Sequence, residues 1–541
     1  MPRCLERLSR CFVLLFPFVI GLLPAVAPLP ITAQSQCDPV SSIRFPVDTA
    51  AFRLVQDFGA PSPRHQGRYH TGEDWYGGRG TALGQPVQAI ANGRVTFSSP
   101  NGWGRDGGVI ILEHRFPDGS VAYSQYGHIM ETDAIRFPPA LACVREGDII
   151  AAVGDSRPAP HLHFEIRTEN PDTPGAGYTW HVPTQSGLRR PSKFILNWQM
   201  WLSPAHAWHV DLADESGPAG VIPLPLPSGL VDLVVLDADR VLRVSADGRV
   251  LWRVNLDRPA VGLDILPDTF RGGVRVIFAD GGVREIDPDA NIIGAWETGV
   301  ALASPPMRFG TMAASPVVFH TPDQALVAFD SALRTVLWRI ENAAPVLRYA
   351  ANDTLFSAIT SENTLITLDS AGTVIDRAFL RDSGALWAND TDMFAYTQGG
   401  FWRIDAAGTW SLVIADAPPG GESAAFARSP ADDGWFLFDG AALYAYAADG
   451  VRRWQLDLPG IQGETRLHLD SLRPIVTLTS SYGTILSVRT TDGVFCNGGR
   501  IFGDRRSRLW SRFAGDTLVT YTADQIIGLR LYPDFLMGCA G

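Results

Sequence analysis

Residues 231–254 read VDLVVLDADRVLRVSADGRVLWRV. Two alternating apolar runs are joined by a short turn. The second closes on Asp247-Gly248, and a Trp-bearing third run follows. Asp-Gly between alternating apolar strands is a hairpin signal. Related strings begin near Val274, Pro316, Thr354, Met393, Trp435, Pro474 and Thr517, a spacing of about forty residues. An all-strand repeat of that period predicts a β-propeller with one blade per unit. The chain stops halfway through the eighth unit, so strands from the start of the array are expected to complete that blade, giving seven or eight blades. The recurring Asp residues read as turn formers. Trp252, Trp338 and Trp454 read as packing between blades.

Upstream the texture differs. Residues 40–170 hold short β-like runs such as PVQAIANGRVTF, GVIILEHRF and VAYSQYGHI, broken by Gly, Pro and Asp. That pattern predicts a compact, mainly antiparallel β domain. KFILNWQMWL reads as a short helix packing back on it, and GPAGVIPLPLPSG (217–229) as a Pro-rich linker. The predicted fold class is therefore all-β, a compact antiparallel domain followed by a propeller. The expected boundaries are a leader at 1–33, the first domain at 34–205, the linker at 206–230 and the propeller at 231–541.

The leader has Arg3, Arg7 and Arg10 ahead of an apolar stretch, with Ala33 before polar Gln34, the layout of a secretory signal peptide. A retained anchor is the alternative, although Pro17, Pro24, Pro28 and Pro30 make a poor spanning helix. Either way the remainder is expected to be exported. Of the six cysteines, Cys4 and Cys11 fall in the leader. Export then favours the domain-local pairs Cys37–Cys143 and Cys496–Cys539. A net charge of −12 argues against generic nucleic-acid or anionic-membrane binding. Lys193 is the sole lysine, which excludes most lysine-based chemistry.

Three strings carry the chemistry: Tyr69-His70-Thr71-Gly72-Glu73-Asp74, Tyr126-Gly127-His128 and Pro160-His161-Leu162-His163-Phe164-Glu165. The last alternates, so on a strand His161 and His163 project together while Leu162 and Phe164 enter the core. Adjacent imidazoles are good zinc ligands, and HTGED adds an imidazole and a carboxylate. Two His and one Asp leave a fourth position for water, the composition of a catalytic zinc site. Glu165 would share the His163 face, either as an orienting carboxylate or as a solvent-facing one. His65, His114, His181, His206, His209, His320 and His468 have no partner spacing of this kind and read as surface or structural residues.

With FGAP near Phe58, GQPVQAIANGRV and EGDIIAAVG, these motifs resemble the lysostaphin/LytM-type zinc endopeptidases of cell-wall peptides over residues 50–170. The resemblance implies His70, Asp74 and His163 as ligands of one zinc and His128 and His161 as the catalytic imidazoles. It implies peptidoglycan cross-links, or similar small-residue peptides, as substrate. The stretches GDSRPAP, NGWGRDGG (101–108) and METDAIRFPPALAC are local departures that bear on substrate preference. Residues 231–541 resemble the Trp-docked repeats of PQQ-like propellers in pattern, and the propeller is read as a binding or scaffolding module for a protein or glycan partner. The alternative reading is a non-catalytic envelope protein that binds wall peptide or activates another hydrolase.

Overall fold

A computed structural model describes residues 37–213, 220–226, 228–266, 273–310, 315–381, 384–470, 473–500, 510–514, 517–522, 524–531 and 539. The leader lies outside them. The first domain is built on a ten-stranded antiparallel sheet. Its main path runs Arg53–Gln56, Glu73–Tyr76, Leu162–Arg167, Val121–Met130, Gly108–Arg115, Gly93–Ser99 and Cys143–Val144. Alternation divides each strand between two faces. Leu162, Phe164 and Ile166 go into a core with Tyr126, Ile110 and Leu112, all without solvent exposure. The residues between them face the other side.

The helix Pro191–Trp201 begins with Pro at its first turn, where the missing N–H costs nothing. Ile195 and Trp198 join the sheet's core, Trp198 stacking on Phe116 at 4.0 Å. Farther along, Met200 clusters with Ile475, Ile485, Leu518, Ile527 and Leu529 of the second domain. Lys193 Nζ meets Asp524 at 3.0 Å. The helix thus belongs to two cores.

The second domain consists of eight four-stranded sheets, the propeller of eight blades. The repeat starts seen in the sequence fall on the second strand of each blade, from Val231–Asp237 to Thr517–Tyr521. The expected linker is not one. His206–Asp211 pairs with Gln525–Arg530 and supplies the outermost strand of blade eight, whose other strands come from the C-terminus. Gly220–Pro225 is the innermost strand of blade one. Pro223 and Pro225 sit at alternate positions of an edge strand paired on one side only, where a missing N–H need not break the ladder. Both disulfides join the expected partners, Cys37–Cys143 and Cys496–Cys539. Among the described residues no helix is long and apolar enough to cross a membrane.

Tryptophans seal most seams between blades. In the outermost strands, Trp208, Trp252, Trp296, Trp338 and Trp454 each donate an indole N–H to a carbonyl of the following blade, at Ala246, Pro288, Leu333, Ser370 and Thr490, at 2.9–3.1 Å. The ring of Trp208 lies against Gly248, where an added Cβ would approach it to 2.5 Å. Gly248 also has a φ of +85°, so glycine answers two demands there. Because Trp208 sits on the strand that closes the ring, Trp208→Ala should lower propeller stability by about 3 kcal/mol. Denaturant unfolding should show an earlier midpoint for the variant, and an unchanged one would remove this closure from the fold's account.

Candidate metal centre

Register brings the three sequence motifs together. His163 pairs with Asp74 on one neighbouring strand and with Gly127 on the other. Asp74, His163 and the Gly127–His128 step therefore form one row across three strands. His70 arrives from the adjacent strand Arg68–His70 through the turn at Gly72. A Cβ on Gly72 would lie 2.3 Å from the Phe164 carbonyl oxygen, so the turn approaches the central strand as closely as glycine alone permits.

His128 occupies a bulge. Gly108 pairs with Ile129 and Val109 with Gly127, leaving His128 as the extra residue, at φ +57°. A bulge re-aims a side chain, and here it turns His128 toward the cleft, with its ring 4.6 Å from that of His161. The left-handed backbone costs of order 1 kcal/mol.

The ligand atoms are already gathered. His70 Nε2 lies 3.0 Å from His163 Nδ1 and 3.2 Å from Asp74 Oδ1, and Asp74 Oδ1 lies 3.0 Å from His163 Nδ1. A tetrahedral site with bonds of about 2.0–2.1 Å has ligands about 3.3 Å apart. The trio, all buried, fits such an ion with little adjustment. His161 Nε2 stands 3.6 Å from Asp74 Oδ2, on the open side.

Each of the four imidazoles turns its other nitrogen to an oxygen acceptor. His70 Nδ1 faces the Asp57 carbonyl (3.2 Å), His128 Nδ1 that of Asp106 (2.7 Å) and His161 Nδ1 that of Ala159 (2.8 Å). His163 Nε2 faces Glu165 Oε1 at 2.9 Å. In each neutral ring, an N–H directed at that oxygen fixes the tautomer and leaves the inner nitrogen its lone pair. Glu165 is thus the orienting carboxylate, not a solvent-facing one. It also accepts from Thr71 Oγ1 (2.5 Å) and Arg167 Nε (2.8 Å), and Arg167 continues to Gln125 (2.5 Å). Glu73 turns away from the site. It accepts from Ser192 N (3.2 Å) and Oγ (2.6 Å) at the start of the helix, and burial pushes its carboxyl up to about 7 against those bonds.

The electrostatics follow from this packing. Burial disfavours a charged His163, but hydrogen bonds to Asp74 and Glu165 outweigh it and lift the ring to about 9. Burial opposes the charge on Glu165 as well, yet His163 and Arg167 hold its carboxyl down at about 2. Burial, then the neighbouring His161 and His163, lower His128 to about 4. His128 is therefore neutral near pH 7.

The cleft in front of these groups has a volume of about 920 Å³. Several of its walls carried no sequence signal. Tyr178, in the short strand Tyr178–Thr179 that pairs with Arg68–His70, donates to Gln56 (3.2 Å) and stacks on His65 at 3.6 Å. His65, read as an ordinary residue, therefore belongs to the cleft rim. Trp103, in the Gly-rich insert, lies 4.9 Å from the His128 ring and 5.2 Å from that of His163. Its indole donates to the Gly175 carbonyl at 2.7 Å. A Cβ on Gly127 would come within 2.3 Å of Trp103, so that glycine makes room for the indole. Arg157 and Pro158 of GDSRPAP form the opposite rim.

Residues 68–174 match the family model Peptidase family M23. No curated protein matches the chain. Similar solved structures include BamB from Moraxella catarrhalis, 12% identical with a TM-score of 0.43, covering 60% of this chain and 99% of that one. Another is Sqt1 from Saccharomyces cerevisiae, 10% identical with a TM-score of 0.42, again covering 60% and 99%. The family match supports a peptidase-type activity, and the His-Asp-His group is suited to the metal such a hydrolase uses.

Two outcomes are expected at this site. Glu165→Gln should weaken metal affinity by about 10–100-fold while leaving the fold intact, as competition with a chelator would measure. A metal must also displace the proton that His163 holds when its value is raised to about 9. Affinity should therefore rise with pH up to about 9 and fall about tenfold per unit below it. Calorimetry at pH 7 in buffers of different ionisation enthalpy should register proton release, and buffer-independent heats would contradict it.

Proposed function

We propose that the chain is an exported zinc-dependent endopeptidase that hydrolyses peptide bonds of peptidoglycan cross-links or similar small-residue peptides. The observation that carries this reading is the coincidence of a preformed His70-Asp74-His163 trio with two further imidazoles, His128 and His161, on the same open cleft. The donor set of two nitrogens and one carboxylate oxygen suits zinc and leaves room for a fourth ligand. A zinc ion held there supplies Lewis-acid polarisation of a peptide carbonyl and acidification of the attacking water.

The chain's own residues supply the rest. Asp106 and Ala159 hold the Nδ1–H groups of His128 and His161, so either ring can take up a proton at Nε2 from the attacking water. The same atom can return it to the leaving amine. The second imidazole lies on the same open side, beside the space in which the oxyanion would develop. Trp103 and Tyr178 wall the cleft on either side of the row, which favours an extended peptide of small residues between them. Both disulfides are consistent with an oxidising, exported setting.

Metal analysis of the purified protein should find one zinc per chain, and His70→Ala or His163→Ala should lose both metal and hydrolysis. His128→Ala and His161→Ala should keep the metal and lose about 10²–10⁴-fold in kcat. A muropeptide digest read by mass spectrometry identifies the bond cut. Undiminished wall-peptide hydrolysis by a metal-free His163→Ala protein would overturn the reading.

A further inference from the structure

In a repeat protein, recurring positions build the scaffold, and departures from them are where a site can be added. The tryptophan that seals the seam to the next blade recurs in five of the eight described blades. It occupies the third place of the outermost strand in His206–Asp211, Val250–Asn255, Val336–Ile340 and Arg452–Asp457, and the fifth in Ile292–Glu297. In blade four the third place holds Asp376, in blade five Leu412 and in blade seven Asn497, so blades four and five are the two consecutive departures. Among the described residues, blade five is therefore flanked on both sides by seams without this indole.

Blade five instead places its aromatic residues elsewhere. Trp410 opens its outermost strand, and its indole reaches back to Asp376 Oδ2 of blade four at 2.7 Å. Trp402 lies on the neighbouring strand, with ring centroids 6.1 Å apart. Phe379, at the end of blade four's outermost strand, is 77% exposed. These three rings line a cleft of about 950 Å³ together with Arg381, Gln398 and Asp439. Its size falls within the roughly 300–1,000 Å³ of small-ligand sites. Gly399, Gly420 and Gly421 leave part of the wall as bare backbone. Among the described residues, the side chains of Arg381, Gln398 and Trp402 make no hydrogen bond or ion pair, so their donors are free for a ligand.

We infer that this cleft on blade five binds carbohydrate, namely the glycan strand of the polymer whose peptides the metal centre cuts. The last clause rests on the function proposed above. Sugar rings present an apolar C–H face and an equatorial belt of hydroxyl and acetamido groups. The exposed ring of Phe379 and the half-buried rings of Trp402 and Trp410 match the first. A free indole N–H, a carboxamide and a guanidinium match the second, while the Asp439 carboxylate is already held by Ala441 N, Ala442 N and the Tyr444 hydroxyl. An extended peptide would instead call for an open strand edge with main-chain pairing, whereas this cleft is lined by side-chain faces and glycine turns.

The test uses the full chain and a β-1,4-linked tetramer of N-acetylglucosamine, titrated by tryptophan fluorescence and calorimetry. Saturable binding is expected, weakened about tenfold by Phe379→Ala and by Trp402→Ala. The exposed Phe379 can be replaced without touching the core, so the experiment stands even if Trp402→Ala fails to fold. Metal content and cleavage of a soluble peptide should be unchanged in Phe379→Ala. No binding at millimolar tetramer, or binding that Phe379→Ala leaves intact, would overturn the assignment. So would retention of a free stem peptide at this cleft in place of the sugar. Tetramer binding without any wall-peptide cleavage would keep the cleft and sink the peptidase reading, and cleavage without tetramer binding would do the reverse.

Discussion

The site depends on one register. Asp74, His163 and Gly127 stand side by side on three hydrogen-bonded strands, and a slip of one residue on any of them would exchange its two faces. The face that would surface on such a slip holds Leu162, Phe164, Ile166 and Tyr126, all fully buried. Burying such side chains is worth roughly 1.5–3 kcal/mol each. The hydrophobic core of the first domain therefore fixes which side chains point at the metal position, and the ligand geometry is a by-product of core packing.

Holding that much polarity out of water carries a cost that the site offsets by pairing. Buried charges are tolerated when they are hydrogen-bonded and matched in sign. His163 lies between Asp74 and Glu165, Glu165 between His163 and Arg167, and Arg167 reaches Gln125 and the Thr173 carbonyl. This chain runs from the cleft floor to the segment that leads into the strand Tyr178–Thr179. It explains why the central strand is polar on one face along its whole length. It also ties the orientation of a ligand ring to the position of a cleft wall.

The His70-Asp74-His163 trio and His161 were legible because HxH and HxxxD are local patterns whose geometry follows from strand alternation and a glycine turn, while His128 was marked only through the family resemblance. The repeat was legible for a similar reason, since Asp-Gly turns and apolar alternation recur at fixed spacing. What escaped was non-local. Tyr178 and His65 meet across more than a hundred residues of chain, and Trp103 enters the site through a loop rather than a motif. His206–Asp211 carries its Trp at the same place as other outermost strands, but the other three strands of its blade lie at the opposite end of the propeller sequence. A strand whose blade is completed from the far terminus cannot be recognised by period. The prolines of Gly220–Pro225 hid the other strand, because proline counts against a strand except at an edge.

The corrected boundary changes how the two domains relate. Only residues 202–205 separate the helix Pro191–Trp201 from the strand His206–Asp211. Ala205 in that connection is itself buried with Met200 against Leu518 and Ile527. At the other end of the helix, Ser192 is held by Glu73, the neighbour of the ligand Asp74. The same short helix is therefore pinned to the ligand-bearing strand at its start and to blade eight at its end, with Lys193 bonded to Asp524 between them. A flexible tether would let the propeller present a partner from many directions. Here one helix contributes side chains to both cores instead.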